Sequence, residues 1–311
     1  SDIRHYYSIE KEAPMTFSPD AEYPLVNTEK GRFPGHFTAG FEASDALPRL
    51  VSIKAGTKVN VVPGKAKAAV EGFEMAALEK AAAETKEETG ISFEFAAEGT
   101  VTEITATGIG AHASTPDVGN NALTGLLVFL GKLDFASCPQ VDMVRKTASL
   151  FPHGDVNGKT LGVAMEDELS GNLTLSFNML SVDAASMDGE FDGRIPVCGN
   201  DENVLEVVRA RMAEQGLTLL NKALIPPHHV SADSYFVKTL LAAFELYTGR
   251  KGECQALGGG TYVHHLENGV AFGAAMPETD NKMHGPDEFA VVDELLVSAK
   301  IFAQAIVDLC G

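Results

Sequence analysis

The chain has 311 residues, 45% of them hydrophobic and 22% charged, and a net charge of −19. That length allows two domains with a sizeable core, and the acidity argues against nucleic acid or an anionic membrane as partner. Four widely spaced cysteines (Cys138, Cys198, Cys254, Cys310) form no C-x-x-C pair, which excludes a disulfide-built scaffold and fits reduced thiols in a cytoplasmic protein. No apolar run approaches a membrane span and no stretch reads as a signal peptide. The start at Ser1-Asp2-Ile3, without an initiator methionine, suggests part of a longer protein.

Residues 1–30 are polar and broken by prolines, and Phe17 to Asn27 reads as a short extended segment. Asp20 stands between Pro19 and Pro24, which keep it out of a helix. Leu47 to Val62 reads as two strands joined at Ala55-Gly56, the second carrying Asn60, a polar residue that needs a hydrogen-bond partner there. Gly72 to Thr89 is rich in helix formers and is stopped by Gly90. Strands Ile91 to Ala96 and Thr100 to Ala106 follow. A loop bounded by glycines then presents His112, and a helix runs from Ala122 to Leu133 with Asp117 or Asn120 as its cap.

Residues 134–170 read as a long irregular connection. Strands are predicted over Asn172 to Val182 and Gly189 to Val197, a helix over Asp201 to Gln215, and a strand over Leu217 to Ala223. This order repeats the first half, so two similar α+β lobes are expected. After the boundary at Ile225-Pro226-Pro227 come a helix from Ser234 to Tyr247, the turn Gly258-Gly259-Gly260-Thr261, a buried strand from Gly269, and a closing helix from Val291 to Leu309.

Three features carry chemistry. His112 sits on a glycine loop, where a rigid scaffold can aim it. The N–H groups of Gly258 to Thr261 can hold a carboxylate. His284, in Met283-His284-Gly285-Pro286-Asp287-Glu288, follows a buried strand, and ligand sites of α/β sheets favour such loops.

Phe17-Ser18-Pro19-Asp20-Ala21-Glu22-Tyr23-Pro24, Val59-Asn60-Val61-Val62-Pro63, Gly110-Ala111-His112-Ala113-Ser114-Thr115-Pro116, Gly258-Gly259-Gly260-Thr261-Tyr262 and Met283 to Glu288 occur in that order. Over nearly the whole chain they resemble the zinc-dependent dipeptidase and aminoacylase metallopeptidases, nearest to the carnosinase-like bacterial Xaa-His dipeptidases with a two-lobed lid. The resemblance implies an α/β catalytic sheet, incomplete here, in segments 1–30 and 225–311, with an inserted α+β lid over 31–224. It implies two zinc ions, with Asp20 and His284 each a ligand of one. It makes His112 the lid group that stabilises the oxyanion, and Arg194 the group that binds the substrate carboxylate. Asn60, Gly259, Gly260 and Thr261 are implied to touch the substrate. The expected partner is a dipeptide or acyl amino acid, and the complete enzyme is expected to be a monomer.

The family places an H-x-D motif, a bridging aspartate and a Glu-Glu pair ahead of the segment matching Asp20, and none lies among the nineteen residues that precede Asp20. Glu87-Glu88 and His153-Gly154-Asp155 imitate these motifs from within the lid and are read as surface groups. His264 stands where relatives tend to have arginine. The chain alone is therefore expected to be inactive, with an N-acyl amino acid deacylase or a non-catalytic peptide binder as the alternatives.

Overall fold

A computed structural model describes residues 2–282 and 287–311. The chain forms two compact units: Arg32–Glu166 with Gly171–Pro226, and Ser1–Gly31 with Asp167–Ser170 and Pro227–Gly311.

The first unit is built on one eight-stranded sheet. Its strands lie side by side in the order Thr218–Leu219, Gly31–Gly40, Ser186–Ile195, Thr174–Val182, Arg49–Ala55, Lys65–Glu71, Val101–Thr107 and Ser92–Glu98. The two predicted sets of strands join edge to edge where Leu180 to Val182 pair with Ile53 to Ala55. Alternation sets the faces: Ala66, Ala68 and Val70 are buried, and their neighbours Lys65 and Lys67 are exposed. On the strand Gly31–Gly40, Phe33 and Phe37 point into the core.

Helices Met75–Thr89, Ala122–Gly131, Pro139–Leu150 and Glu206–Glu214 share that core with the sheet. Gly90 ends the first of them in the left-handed region at φ 73°, and its N–H donates to the Lys86 carbonyl. The cap of Ala122–Gly131 is Asn121, whose side chain accepts from the N–H groups of Leu123 and Thr124; neither Asp117 nor Asn120 fills that place. Pro139–Leu150 lies within the span expected to be irregular. Pro139 opens it, and Val141, Val144, Thr147 and Leu150 bury one side at three-residue spacing.

In the second unit the central strand Leu25–Glu29 is buried throughout. Cys254–Leu257 pairs with it in parallel and His228–His229 antiparallel, and Thr16–Ser18 runs parallel to Gly269–Ala271. The core holds Tyr23 against Phe244 and Phe272, with ring centroids 5.3 and 5.2 Å apart, together with helices Tyr235–Thr248 and Val292–Cys310. A helix over Asp2–Ile9 was not expected in the polar N-terminal stretch. Among the described residues no helix is long and apolar enough to cross a membrane.

Candidate functional site

In the sheet unit, the loop that carries His112 is pinned at both ends. Ile109 and Asn120 exchange two backbone hydrogen bonds of 2.8 Å, and Ala111–His112 pairs with Val61–Val62. The expected long strand around Asn60 is absent. Asn60 occupies a turn ahead of the two-residue strand Val61–Val62, and its carbonyl accepts from Ala113 N–H at 3.0 Å. The turn is further tied where Asn178 Nδ2 donates to the Val59 carbonyl at 2.5 Å.

His112 is exposed, and its Nδ1 accepts from the Ser114 backbone N–H at 3.2 Å, with Ser114 Oγ 2.6 Å away. An acceptor at Nδ1 puts the proton of the neutral ring on Nε2. The ring is thereby a donor at the nitrogen remote from its own backbone.

Arg194 and Asp192 stand two residues apart on one face of the strand Ser186–Ile195. Arg194 Nε donates to Asp192 Oδ1 at 2.5 Å and Nη2 to Oδ2 at 3.1 Å, a bidentate pair with side chains 4% and 3% exposed. Burial pushes the Asp192 carboxyl above the ordinary carboxylate range, against the pull first of Arg194 and then of Arg32 and His112. His112 and Arg194 thus share the surroundings of one buried carboxylate. The backbone of Asn60 is bound to the residue after His112, so the three residues singled out in this unit converge.

In the other unit, Asp20 is exposed in the bend between Thr16–Ser18 and Ala21–Glu22. It lines a cavity of about 720 Å³ with Glu22, Val26, Leu257, Glu288 and Phe289. Thr261 is engaged by a carboxylate of its own unit, that of Glu29: Thr261 N–H and Oγ1 donate to Glu29 Oε1 at 3.1 and 2.6 Å. His264 Nδ1 lies 2.7 Å from the other oxygen. Gly260 lies beneath this network, where a Cβ would come within 3.4 Å of His264 Nδ1, whereas at Gly259 a Cβ would touch only Leu257. His284 lies outside the described residues.

Among the described residues no group of three His, Cys, Asp or Glu side chains could hold a metal ion, so they do not by themselves fit a zinc centre. The motif imitators have structural tasks. Glu88 pairs with Lys132 at 2.8 Å, and Asp155 accepts from the N–H groups of Asn157, Lys159 and Thr160. His153 Nδ1 lies 2.9 Å from Thr124 Oγ1. Sequence reading missed Asp192, Arg32 and Glu29. The signal for the first was an alternating Asp-x-Arg inside a strand that is otherwise closing on its core.

No family model matches the chain. It is 34% identical over 314 residues to the "Putative dipeptidase YtjP" of Bacillus subtilis (strain 168), covering 99% of this chain and 66% of that protein. It is 32% identical over 308 residues to the Beta-Ala-Xaa dipeptidase of Lactobacillus delbrueckii subsp. lactis, covering 99% and 65%. The chain therefore spans just under two thirds of the length of these curated relatives. The crystal structure of aminoacylhistidine dipeptidase from Vibrio alginolyticus superimposes with a TM-score of 0.52 at 12% identity, over 97% of this chain and 67% of that one, a likeness of fold.

Proposed function

The chain belongs to the family of zinc-dependent dipeptidases, and from that premise we propose that it carries the substrate-binding face of a metal-dependent dipeptidase acting on short peptides of the Xaa-His kind. One observation supports this most: His112 accepts at Nδ1, so Nε2–H is the donor a carbonyl oxygen needs as it gathers negative charge. Arg194 supplies the guanidinium for the peptide's carboxylate, and Asn60 holds the His112 loop against the turn at its side.

In this reading Asp20 and His284 are zinc ligands, and two zinc ions complete the centre with ligands from the part of the relatives' length that this chain does not span. When bound, the metal supplies a water of lowered pKa. The 311-residue chain alone is proposed to be inactive, and the complete enzyme to be a cytoplasmic monomer.

The test is hydrolysis of Ala-His by a protein spanning the full length of its relatives, with zinc content measured in parallel. His112→Ala should lower turnover by about 10²–10³-fold, as loss of one oxyanion donor does, with zinc unchanged. Loss of zinc in that variant would refute His112 as a substrate-side residue. No hydrolysis by the wild type would sink the dipeptidase reading, and faster cleavage of N-acetyl amino acids would replace it by a deacylase. Turnover by the 311-residue chain with two bound zinc ions would return Glu87, Glu88, His153 and Asp155 to candidacy.

A further inference from the structure

Two helices of the sheet unit line a cavity of about 390 Å³. Thr124, Leu127 and Gly131 face it from Ala122–Gly131, and Val141, Val144 and Ala148 from Pro139–Leu150. Both sets are spaced i, i+3, i+7, so each is one side of its helix. Gly131 and Ala148 bring little bulk to these two sides, and a Cβ on Gly131 would meet no atom within 4 Å. Space between facing helices is a common place for small-molecule sites, and the volume falls in their range of about 300–1,000 Å³.

The lining is graded in polarity. Leu50, Leu127, Val144 and Phe151 are buried and apolar, while Glu88, Arg145 and Ser149 are exposed. Three of the lining residues can carry charge. Glu88 is matched by Lys132 at 2.8 Å. His153 Nδ1 lies 2.9 Å from Thr124 Oγ1, and burial pushes the ring below the ordinary histidine range, so it stays neutral at neutral pH. Arg145 follows Val144 on the same side of its helix, and among the described residues it makes no hydrogen bond or ion pair, although Asp142 stands one turn before it. An apolar cavity with one unmatched guanidinium at its exposed edge suits a ligand that is greasy at one end and anionic at the other.

We propose that this cavity binds a small aliphatic monocarboxylate, its chain among Leu50, Leu127, Val144 and Phe151 and its carboxylate on Arg145. The planar fork of an arginine fits a carboxylate with two parallel hydrogen bonds. In a chain of net charge −19, most of the surface repels such an anion, and an unmatched cation beside apolar surface is where it can settle. The lining contains neither His112, Asn60 nor Arg194, so the proposal does not rest on the dipeptidase reading.

The experiment is calorimetric titration of the 311-residue chain with decanoate, kept below its micellar concentration, and with 1-decanol as the uncharged counterpart. Decanoate should bind about fivefold more tightly, the upper end of what a solvent-facing ion pair contributes. Octanoate should bind roughly tenfold more weakly than decanoate, because each methylene taken out of water counts. Arg145→Gln should remove the preference for decanoate and leave 1-decanol unchanged. Ala148→Phe fills the cavity and should abolish binding of both ligands; Gly131→Leu fills it from the other helix, and thermal melts report whether each variant folds. The proposal is overturned if the wild type binds decanoate no more tightly than 1-decanol, or if the preference survives Arg145→Gln. Binding that survives both filling variants places the ligand elsewhere and overturns it equally.

Discussion

Glu29 Oε2 lies 2.7 Å from His264 Nδ1, with side chains only 1% and 6% exposed. Burial alone would raise the Glu29 carboxyl, but hydrogen bonds from His264 and Thr261 outweigh it and hold the group below the ordinary range. A carboxyl depressed in the folded state adds stability that is present above its unfolded value, about 4.3, and is lost as pH falls through the lower folded value. Glu29→Gln should therefore melt below the wild type at neutral pH, by roughly 1–3 kcal/mol for a buried partner left unmatched. The gap should close as pH drops below about 4. Melting curves at several pH values check this, and a gap that widens in acid would refute it.

Ser114 holds the tautomer of His112 from two directions, by its backbone N–H and by its hydroxyl. Ser114→Ala removes only the second. Turnover in the full-length enzyme should fall about two- to tenfold, the worth of one ordinary hydrogen bond. That is far less than the loss for His112→Ala. Steady-state kinetics on Ala-His decide it, and a loss as large as that of His112→Ala would mean that the hydroxyl itself acts on the substrate.

How much of this was legible in the sequence differs by element. The helices Met75–Thr89 and Tyr235–Thr248 could be read to within a few residues, because each has a strong helix-forming run and a glycine at its end, Gly90 and Gly249, at positive φ. Pro139–Leu150 could not, since it is opened by a proline and followed by the glycine- and proline-interrupted run from Phe151 to Gly158, which speaks for a loop. The glycine loop announced His112, but its partner strand shrank to Val61–Val62. That the strands carrying Arg32 and Arg194 are neighbours lay beyond reach: the two residues are more than a hundred positions apart, and only the sheet order puts their strands side by side.

Gly108 and Gly110 flank the same loop and should respond oppositely to alanine. A Cβ on Gly108 would stand 2.1 Å from the Asn120 carbonyl oxygen, a backbone atom committed to the pair with Ile109. A Cβ on Gly110 would meet nothing nearer than 3.4 Å. Gly108→Ala should cost about 1–3 kcal/mol, the usual penalty of overpacking, and should displace the His112 loop. Gly110→Ala should be near neutral. Melting temperature and NMR shifts of the His112 ring test both, and an unperturbed Gly108→Ala variant would show that the loop is not held by this pair.

Asp192 should show a pH dependence opposite to that of Glu29. Burial raises its carboxyl against the pull of Arg194, Arg32 and His112. As pH rises past the unfolded value of about 3.9, the unfolded chain releases this proton while the folded chain still holds it. Stability therefore declines through that window, up to the raised folded value. Asp192→Asn keeps the shape and removes the decline, so it should gain on the wild type as pH climbs from about 4 toward neutrality. Asp192→Ala takes the bidentate carboxylate away from the buried Arg194 guanidinium and should lose about 3–5 kcal/mol. Melts across pH settle the matter, and an Asp192→Asn variant that loses most stability at neutral pH would reverse the sign argued for this carboxylate.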